Sequence, residues 1–378
     1  MERRPGHYDK SEGKKMTSNA KEMQMSSSKE ILTVLMPLKG REEYTVRISR
    51  YLDYINAPFR VIFADGGKSS YIESFLRDRN NLPNLKYDYL RYPYDETLSD
   101  FHSKMASATM AIKTPYTLLH DNDDFFITET IQKCIDFLNQ NPDYNTARGK
   151  IHDFHVSRGT YGEPYITGEM YTEYRDPVDS DTVQGRLLDQ CSRFHSNYHN
   201  VRRTRNVQMT YKLIEIMDFT NYRFAHQAES LLSVAWGKGT RQVEGPHLLH
   251  QASTMSVGSE HFPPQDQWIR AEYWKDDFVG MMDLYGALIH HYDGAPLLEA
   301  REIFANGYVR KLPNLKDLLM RKISLCKEQK VDNNRIHLIL EAIKTHDTES
   351  TILATNNTEH STAQEEFDLL KVFLNSRL

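Results

Sequence analysis

Tyr116-Thr117-Leu118-Leu119-His120-Asp121-Asn122-Asp123-Asp124-Phe125-Phe126 is the stretch on which the reading of this chain turns. A short apolar run leads directly into three carboxylates within four positions. Such a run reads as a buried strand that delivers acidic side chains at its carboxyl end. Carboxylates this close repel one another unless a cation or hydrogen-bond donors neutralise them. A divalent cation held by Asp oxygens and a substrate diphosphate is the simplest solution. Three other readings compete. Asp and Asn favour solvated turns. Acidic residues suit a helix N-terminus. A calcium loop would need Gly and Glu where the chain has Phe126 and Gln132, so that reading largely fails.

The surroundings supply a fold class. Ile31-Leu32-Thr33-Val34-Leu35-Met36 is a β-branched apolar run stopped by Pro37, as suits a strand buried on both faces. Ile48, Tyr51, Leu52 and Ile55 recur at helical spacing before Pro58. Phe59 to Ala64 reads as a second buried strand, ending in Asp65-Gly66-Gly67. A short helix around Ile72, Phe75 and Leu76 follows, then a weaker strand from Lys86 to Leu90. Leu98, Phe101, Met105, Ala108 and Ile112 form the next helical stripe. Thr128 can cap a helix carrying Ile131, Cys134, Ile135 and Leu138. Alternating strands and helices predict an α/β fold with a mostly parallel sheet flanked by helices. In open sheets of that kind ligands gather at the carboxyl ends of the strands, where both Asp65 and Asp121 stand.

Beyond residue 150 the pattern loosens, and residues 157 to 206 show little periodicity, as functional or mobile stretches do. Regularity returns at Val207 to Met217 and Ala225 to Trp236, and helical stripes recur at Leu315 to Ile323 and Ile336 to Ile343. The expected organisation is a disordered tail over 1–29, a main domain over 30–255 divided near 145, and a helical C-terminal region over 256–346. A polar linker and a terminal amphipathic helix (Phe367 to Phe373) complete it over 347–378.

The 378 residues are 39% hydrophobic and 26% charged, an ordinary globular composition. A net charge of −5 gives no bulk attraction to nucleic acid. The apolar runs are too short to span a bilayer. Cys134, Cys191 and Cys326 lack metal spacing. Their odd number without an export signal predicts reduced thiols in a cytoplasmic protein. Asn356-Asn357-Thr358 matches a glycosylation pattern but carries no weight without secretion.

Several segments, in order, resemble the GT-A glycosyltransferases, in particular their family-2-like group. Thr33 to Arg41 resembles the opening strand and nucleotide loop, Phe63 to Gly67 the second strand, and Tyr116 to Asp124 the strand ending in Asp-x-Asp-Asp. The resemblance covers roughly residues 30 to 145. It implies a Rossmann-like GT-A fold with a helical C-terminal extension, and transfer of a sugar from a nucleotide donor to an acceptor hydroxyl with inversion. It implies Mg²⁺ or Mn²⁺ held by Asp121, Asp123 and His250, and nucleotide contacts from Pro37, Lys39, Arg41, Asp65, Gly66, Lys104 and Asp121. Asp124 would orient the acceptor. The family's base lies at a helix start, and Phe224 to Leu232 occupies that place. Glu229 is the expected base, although Ser230 stands where the family has Asp.

His247 is the alternative to His250, since a strand would point the two to opposite faces. His152 and His155 share that spacing, and a structural histidine is the commoner outcome for each. Arg202-Arg203-Thr204-Arg205 reads first as a solvated face and second as a contact for a phosphorylated or acidic acceptor. Trp236, Trp268 and Trp274 read as core anchors before sugar platforms. The implied acceptor is a glycan or lipid-linked glycan, as in surface polysaccharide synthesis, which allows peripheral contact with the inner membrane face. Two rivals stay open: a metal-dependent phosphohydrolase using Asp121, Asp123 and the histidines, and a non-catalytic nucleotide- or glycan-binding module of the same fold.

Overall fold

Four apolar strands form the parallel half of the sheet: β1 (Leu32–Leu38), β2 (Arg60–Asp65), β3 (Tyr87–Arg91) and β4 (Tyr116–Leu119). The computed structural model describes residues 30–158, 164–167, 176–239, 241–251 and 264–348. The expected tail over 1–29, the terminal amphipathic helix and the Asn356 pattern lie outside the described residues. β1 pairs in parallel with β2 and β4, Leu38 opposite Asp65 and Leu35 opposite Leu119. The sheet continues through β5 (Phe125–Phe126), β6 (Thr146–Arg158), β8 (Val201–Arg203) and β9 (Arg241–Gln251), in the order β3-β2-β1-β4-β8-β6-β9-β5. A short β7 (Pro164–Thr167) pairs with β6. β8 and β5 run against their neighbours; the other strands of the main path share one direction.

Alternation along β1 divides its side chains between two cores. Val34, Met36 and Leu38 join Ile48, Leu52, Phe75 and Ile135 under α1 (Glu42–Tyr54), α2 (Ser70–Arg77) and α4 (Thr128–Gln140). Leu35 and Leu119 join the opposite core, under α3 (Leu98–Met110), α5 (Val183–Ser192), α6 (Thr204–Met217) and α7 (Tyr222–Ala235). Thr97 and Asp100 form a reciprocal capping box at the start of α3. Thr128 lies inside α4, whose cap position is Ile127. Within the stretch expected to be irregular, α5 and β8 are regular.

The C-terminal extension is helical: α8 (Gln265–Arg270), α9 (Trp274–Asp293), α10 (Leu297–Tyr308), α11 (Lys316–Lys327) and α12 (Asn333–Thr348). Trp268 and Trp274 are fully buried here, and the Trp274 ring stacks on Phe278 at 4.6 Å. Asp283, buried in the middle of α9, pairs with Arg301 of α10 at 2.8 Å. That pair draws α10 onto Gly286, where an added Cβ would stand 2.4 Å from Arg301 Cγ and 3.1 Å from its backbone nitrogen. Gly to Ala inside a helix ordinarily gains about 1 kcal/mol. Gly286→Ala is expected to reverse that sign and cost about 1–3 kcal/mol by overpacking, read as a lower denaturation midpoint. A midpoint at or above wild type would show that the two helices can separate freely. All three cysteines are buried free thiols. No helix among the described residues is long and apolar enough to cross a membrane.

Candidate metal and nucleotide site

β4 is buried throughout, and its chain leaves the sheet at His120, turns through Asn122-Asp123 and re-enters as β5. The turn is fastened to the start of α1. Asn122 donates to the Thr45 hydroxyl at 2.9 Å, Arg47 donates to the Asp123 carbonyl at 2.7 Å, and Arg41 pairs with the Asp123 carboxylate at 2.6 Å. Phe125 completes the attachment by packing edge-on against Tyr51 at 5.1 Å. With Asp123 engaged in this way, Asp121 and Asp124 point elsewhere.

Asp121, Asp124 and His199 present donor atoms that all lie within 4.8 Å of one another. His199 Nε2 is 3.7 Å from Asp121 Oδ2 and 3.6 Å from Asp124 Oδ2. Burial, then the Asp123 charge, pushes the Asp121 carboxyl up to about 7, against the opposing influence of Arg41, His250 and Tyr198. Burial and the charges of Asp123 and Asp121 raise Asp124 well above the ordinary carboxyl value, even though it accepts the Gln251 backbone N–H at 2.9 Å. Burial, with His120, His250 and His247 nearby, holds His199 well below 6.5. Two carboxylates facing a neutral imidazole form a donor set that could hold a divalent cation.

The grouping differs from the expected Asp121, Asp123 and His250. Asp123 is held by Arg41. His250 stands on β9 opposite Asp153 of β6 and bonds its carboxylate at 3.0 Å. His247, on the other face of β9, donates to the His199 carbonyl at 2.6 Å and so positions the third member of the group. His199 itself went unrecognised in the sequence. It lies in Asn197-Tyr198-His199-Asn200, just ahead of β8, and only the pairing of β8 with β4 brings it to the carboxylates. Asn197 bonds Ser233 of α7 at 2.8 Å and Asn200 bonds Thr146 of β6 at 2.7 Å, so the segment is fixed on both sides.

Of the expected nucleotide residues, Pro37, Lys39, Arg41, Asp65 and Gly66 stand in or just after β1 and β2, Lys104 is on α3, and Asp121 follows β4. Pro37 pairs with Ala64, and the Leu38 carbonyl accepts the Gly66 N–H at 3.0 Å. Gly66 has no room for a side chain, because a Cβ would meet the Asp95 carboxylate. Asp65 accepts the Gly67 N–H, the Tyr89 hydroxyl and Arg91, each at 2.7 Å. Lys104 is buried, pairs with Asp95 and donates to the Leu38 carbonyl at 3.2 Å. Asp65 and Lys104 therefore build the loop, while Lys39 and Arg41 keep half-exposed side chains. Lys39 and Lys68 both lie over the Tyr94 ring, at 5.4 and 4.0 Å. A cleft of about 520 Å³ opens beside Arg41, lined also by Glu42, Glu43, Val46 and Tyr71.

Glu229 is apart from these groups. It is 4% exposed on α7 and pairs with Arg202 of β8 at 2.5 Å. Arg202 also donates to the Tyr198 carbonyl at 3.3 Å. The basic run expected at the surface is thus built into the sheet: Arg202 is 1% exposed, and Arg203 donates to the Tyr144 and Leu138 carbonyls at 2.9 and 2.7 Å.

No family model matches the chain, and no curated protein matches it. Among solved structures, S. aureus TarS 1-349 is similar at 12% identity and a TM-score of 0.47, over 84% of this chain and 90% of that one. The same protein in complex with UDP-GlcNAc gives 14% identity and 0.48, over 84% and 80%. A further TarS structure gives 14% and 0.48, over 84% of this chain and 53% of that one.

Proposed function

We propose that this chain is a metal-dependent glycosyltransferase of the GT-A type, moving a sugar from a nucleotide-sugar donor to a hydroxyl of a glycan or glycolipid with inversion. The observation that carries the reading is the Asp121–Asp124–His199 group at the carboxyl end of β4, on the same edge of the parallel sheet as the Asp65-Gly66-Gly67 turn that ends β2 on the far side of β1. Asp121, Asp124 and His199 would hold the ion. A divalent cation there supplies neutralisation of the charge that develops on a leaving diphosphate. Lys39 and Arg41, the half-exposed cations that follow β1, would meet phosphate oxygens, Arg41 by exchanging its Asp123 partner. Glu229, buried against Arg202, acts in this reading through position: it holds Arg202 at the Tyr198 carbonyl and so steadies the segment that presents His199.

The test is thermal stabilisation by UDP, GDP, CDP and UDP-GlcNAc, each with and without Mn²⁺, on wild type and Asp121→Asn. A ligand at a hundred times its Kd stabilises by about 2.7 kcal/mol, roughly 3–4 °C for a chain of this size. One nucleotide is expected to give that shift only with Mn²⁺, and Asp121→Asn to lose it. Indifference of every nucleotide to the metal would sink the reading. Phosphate release without an acceptor would favour the hydrolase, and a shift without turnover on any acceptor the binding module.

A further inference from the structure

Three non-glycine residues among those described have a left-handed backbone, Arg41, Asn56 and Asp218. Asn and Asp adopt it readily because their short polar side chains bond locally, and arginine does not. Arg41 (φ 58°, ψ 48°) follows the left-handed Gly40 and occupies the cap position of α1, yet its side chain caps nothing there. An outlier of this kind persists only where its surroundings hold it. Here they hold it from two directions. Its carbonyl accepts the Tyr44 and Thr45 N–H groups of α1 at 3.1 and 3.2 Å. From the turn after β4, Asn122 donates to the same carbonyl at 3.3 Å, and the Asp123 carboxylate takes the guanidinium Nη1 at 2.6 Å. The strained residue and the acidic turn fasten each other.

The two partners are unequally reachable. The Arg41 side chain is 22% exposed and borders the cleft of about 520 Å³, while the Asp123 side chain is 9% exposed. An anion arriving from solvent meets the arginine first. Arg41 reaches Asp123 through Nη1, and a phosphate can accept two guanidinium N–H groups in the stronger, forked geometry. Asp123 can lose this partner without losing its place, because Arg47 holds the turn by the Asp123 carbonyl at 2.7 Å. Its charge acts on the neighbouring carboxylates: after burial, Asp123 is the largest influence raising both Asp121 and Asp124.

We propose that the Arg41–Asp123 pair is a latch between an anion site and a cation site: a diphosphate that takes Arg41 releases Asp123 to a divalent ion beside Asp121 and Asp124. While the latch is closed, the two charges satisfy each other. Opening it serves both ligands, so each raises the affinity for the other by the same factor. The latch takes its two ligands from the transferase reading above, and the experiment separates the failure of one from the failure of the other.

The experiment is a calorimetric titration with Mn²⁺, without nucleotide, of wild type, Arg41→Gly, Asp123→Asn and the double variant. Glycine suits the left-handed backbone at position 41, so Arg41→Gly opens the latch and keeps the loop in place. It should tighten Mn²⁺ about fivefold or more, the low end of coupling between sites. In the Asp123→Asn background the same change should tighten Mn²⁺ much less, because no carboxylate is released. Arg41→Gln should match Arg41→Gly, and urea midpoints near wild type show that each variant is folded. Inorganic pyrophosphate, in buffer with chelator, tests the other half. Asp123→Asn should tighten it about fivefold, and should not do so in a chain that carries Arg41→Gly. Mn²⁺ affinity unchanged by Arg41→Gly, or pyrophosphate affinity unchanged by Asp123→Asn, would overturn the latch. So would a gain in Mn²⁺ affinity that persists undiminished without Asp123, since Arg41 would then only repel the ion. Each of these outcomes leaves the transferase reading standing. Mn²⁺ binding to none of the four proteins would remove both.

Discussion

Arg202→Met is expected to cost about 3–5 kcal/mol of stability, because it strands the Glu229 carboxylate in the core. Both partners are almost fully buried, Arg202 at 1% and Glu229 at 4% exposed, and their atoms approach to 2.5 Å. Taking such charges out of water costs several kcal/mol per ion, and mutual attraction offsets that cost only while both are present. The double variant Arg202→Met/Glu229→Gln should therefore recover most of the loss. Urea denaturation of the four members of the cycle measures this directly. A single variant as stable as wild type would mean that Glu229 finds another partner or takes up a proton. The double variant also separates stability from positioning. It restores the core but not the contact from Arg202 to the Tyr198 carbonyl, so the metal-dependent nucleotide response should remain weakened even where the melting temperature recovers.

The same arginine shows where the sequence stops being legible. The parallel strands were readable because burial on both faces leaves an uninterrupted apolar run, as in Leu32 to Met36 and Val61 to Ala64. The C-terminal helices were readable because Ile336, Ile339 and Ile343 recur on one face. β8 is three residues long, and two of them are arginines, so its composition reads as solvated surface. It is a central strand because a glutamate on α7 and the carbonyls of Leu138, Asn141 and Tyr144 receive those guanidinium groups, and none of these partners is near in sequence. The site divides in the same way. Asp65 and Asp121 to Asp124 could be placed at strand ends from local pattern alone. His199 could not, since its approach depends on the pairing of β8 and on contacts with His247 and α7. Local pattern also could not show that Arg41 occupies Asp123, because that pair closes across 82 positions.

Asp124→Asn is expected to abolish the response to Mn²⁺ while leaving the fold intact. The substitution keeps an acceptor for the Gln251 N–H, at 2.9 Å in the native protein, and removes one of the two charges facing His199. Outer-shell changes at metal sites already cost 10–100-fold in affinity, so loss of a direct donor should weaken Mn²⁺ by more than about 100-fold. Turnover, on the transferase reading, should fall by roughly 10²–10³ with it. The ion-free protein gives a second and opposite signature. Asp121, raised from 3.8 to about 7, and Asp124, raised well above 3.8, hold protons more tightly folded than unfolded. The contribution of these two carboxyls to stability without metal therefore falls as pH rises from 3.8 through about 7, while the histidines held neutral beside them, His120, His199 and His247, contribute in the opposite sense. Asp124→Asn should make that fall shallower and raise the ion-free melting temperature near neutral pH, as Mn²⁺ does in wild type. Melting curves across this range, with Mn²⁺ and with chelator, read both effects. A variant that loses stability without metal would contradict the repulsion argument. A variant that keeps its Mn²⁺ shift would remove Asp124 from the site and return the ion to Asp123, which would then have to release Arg41.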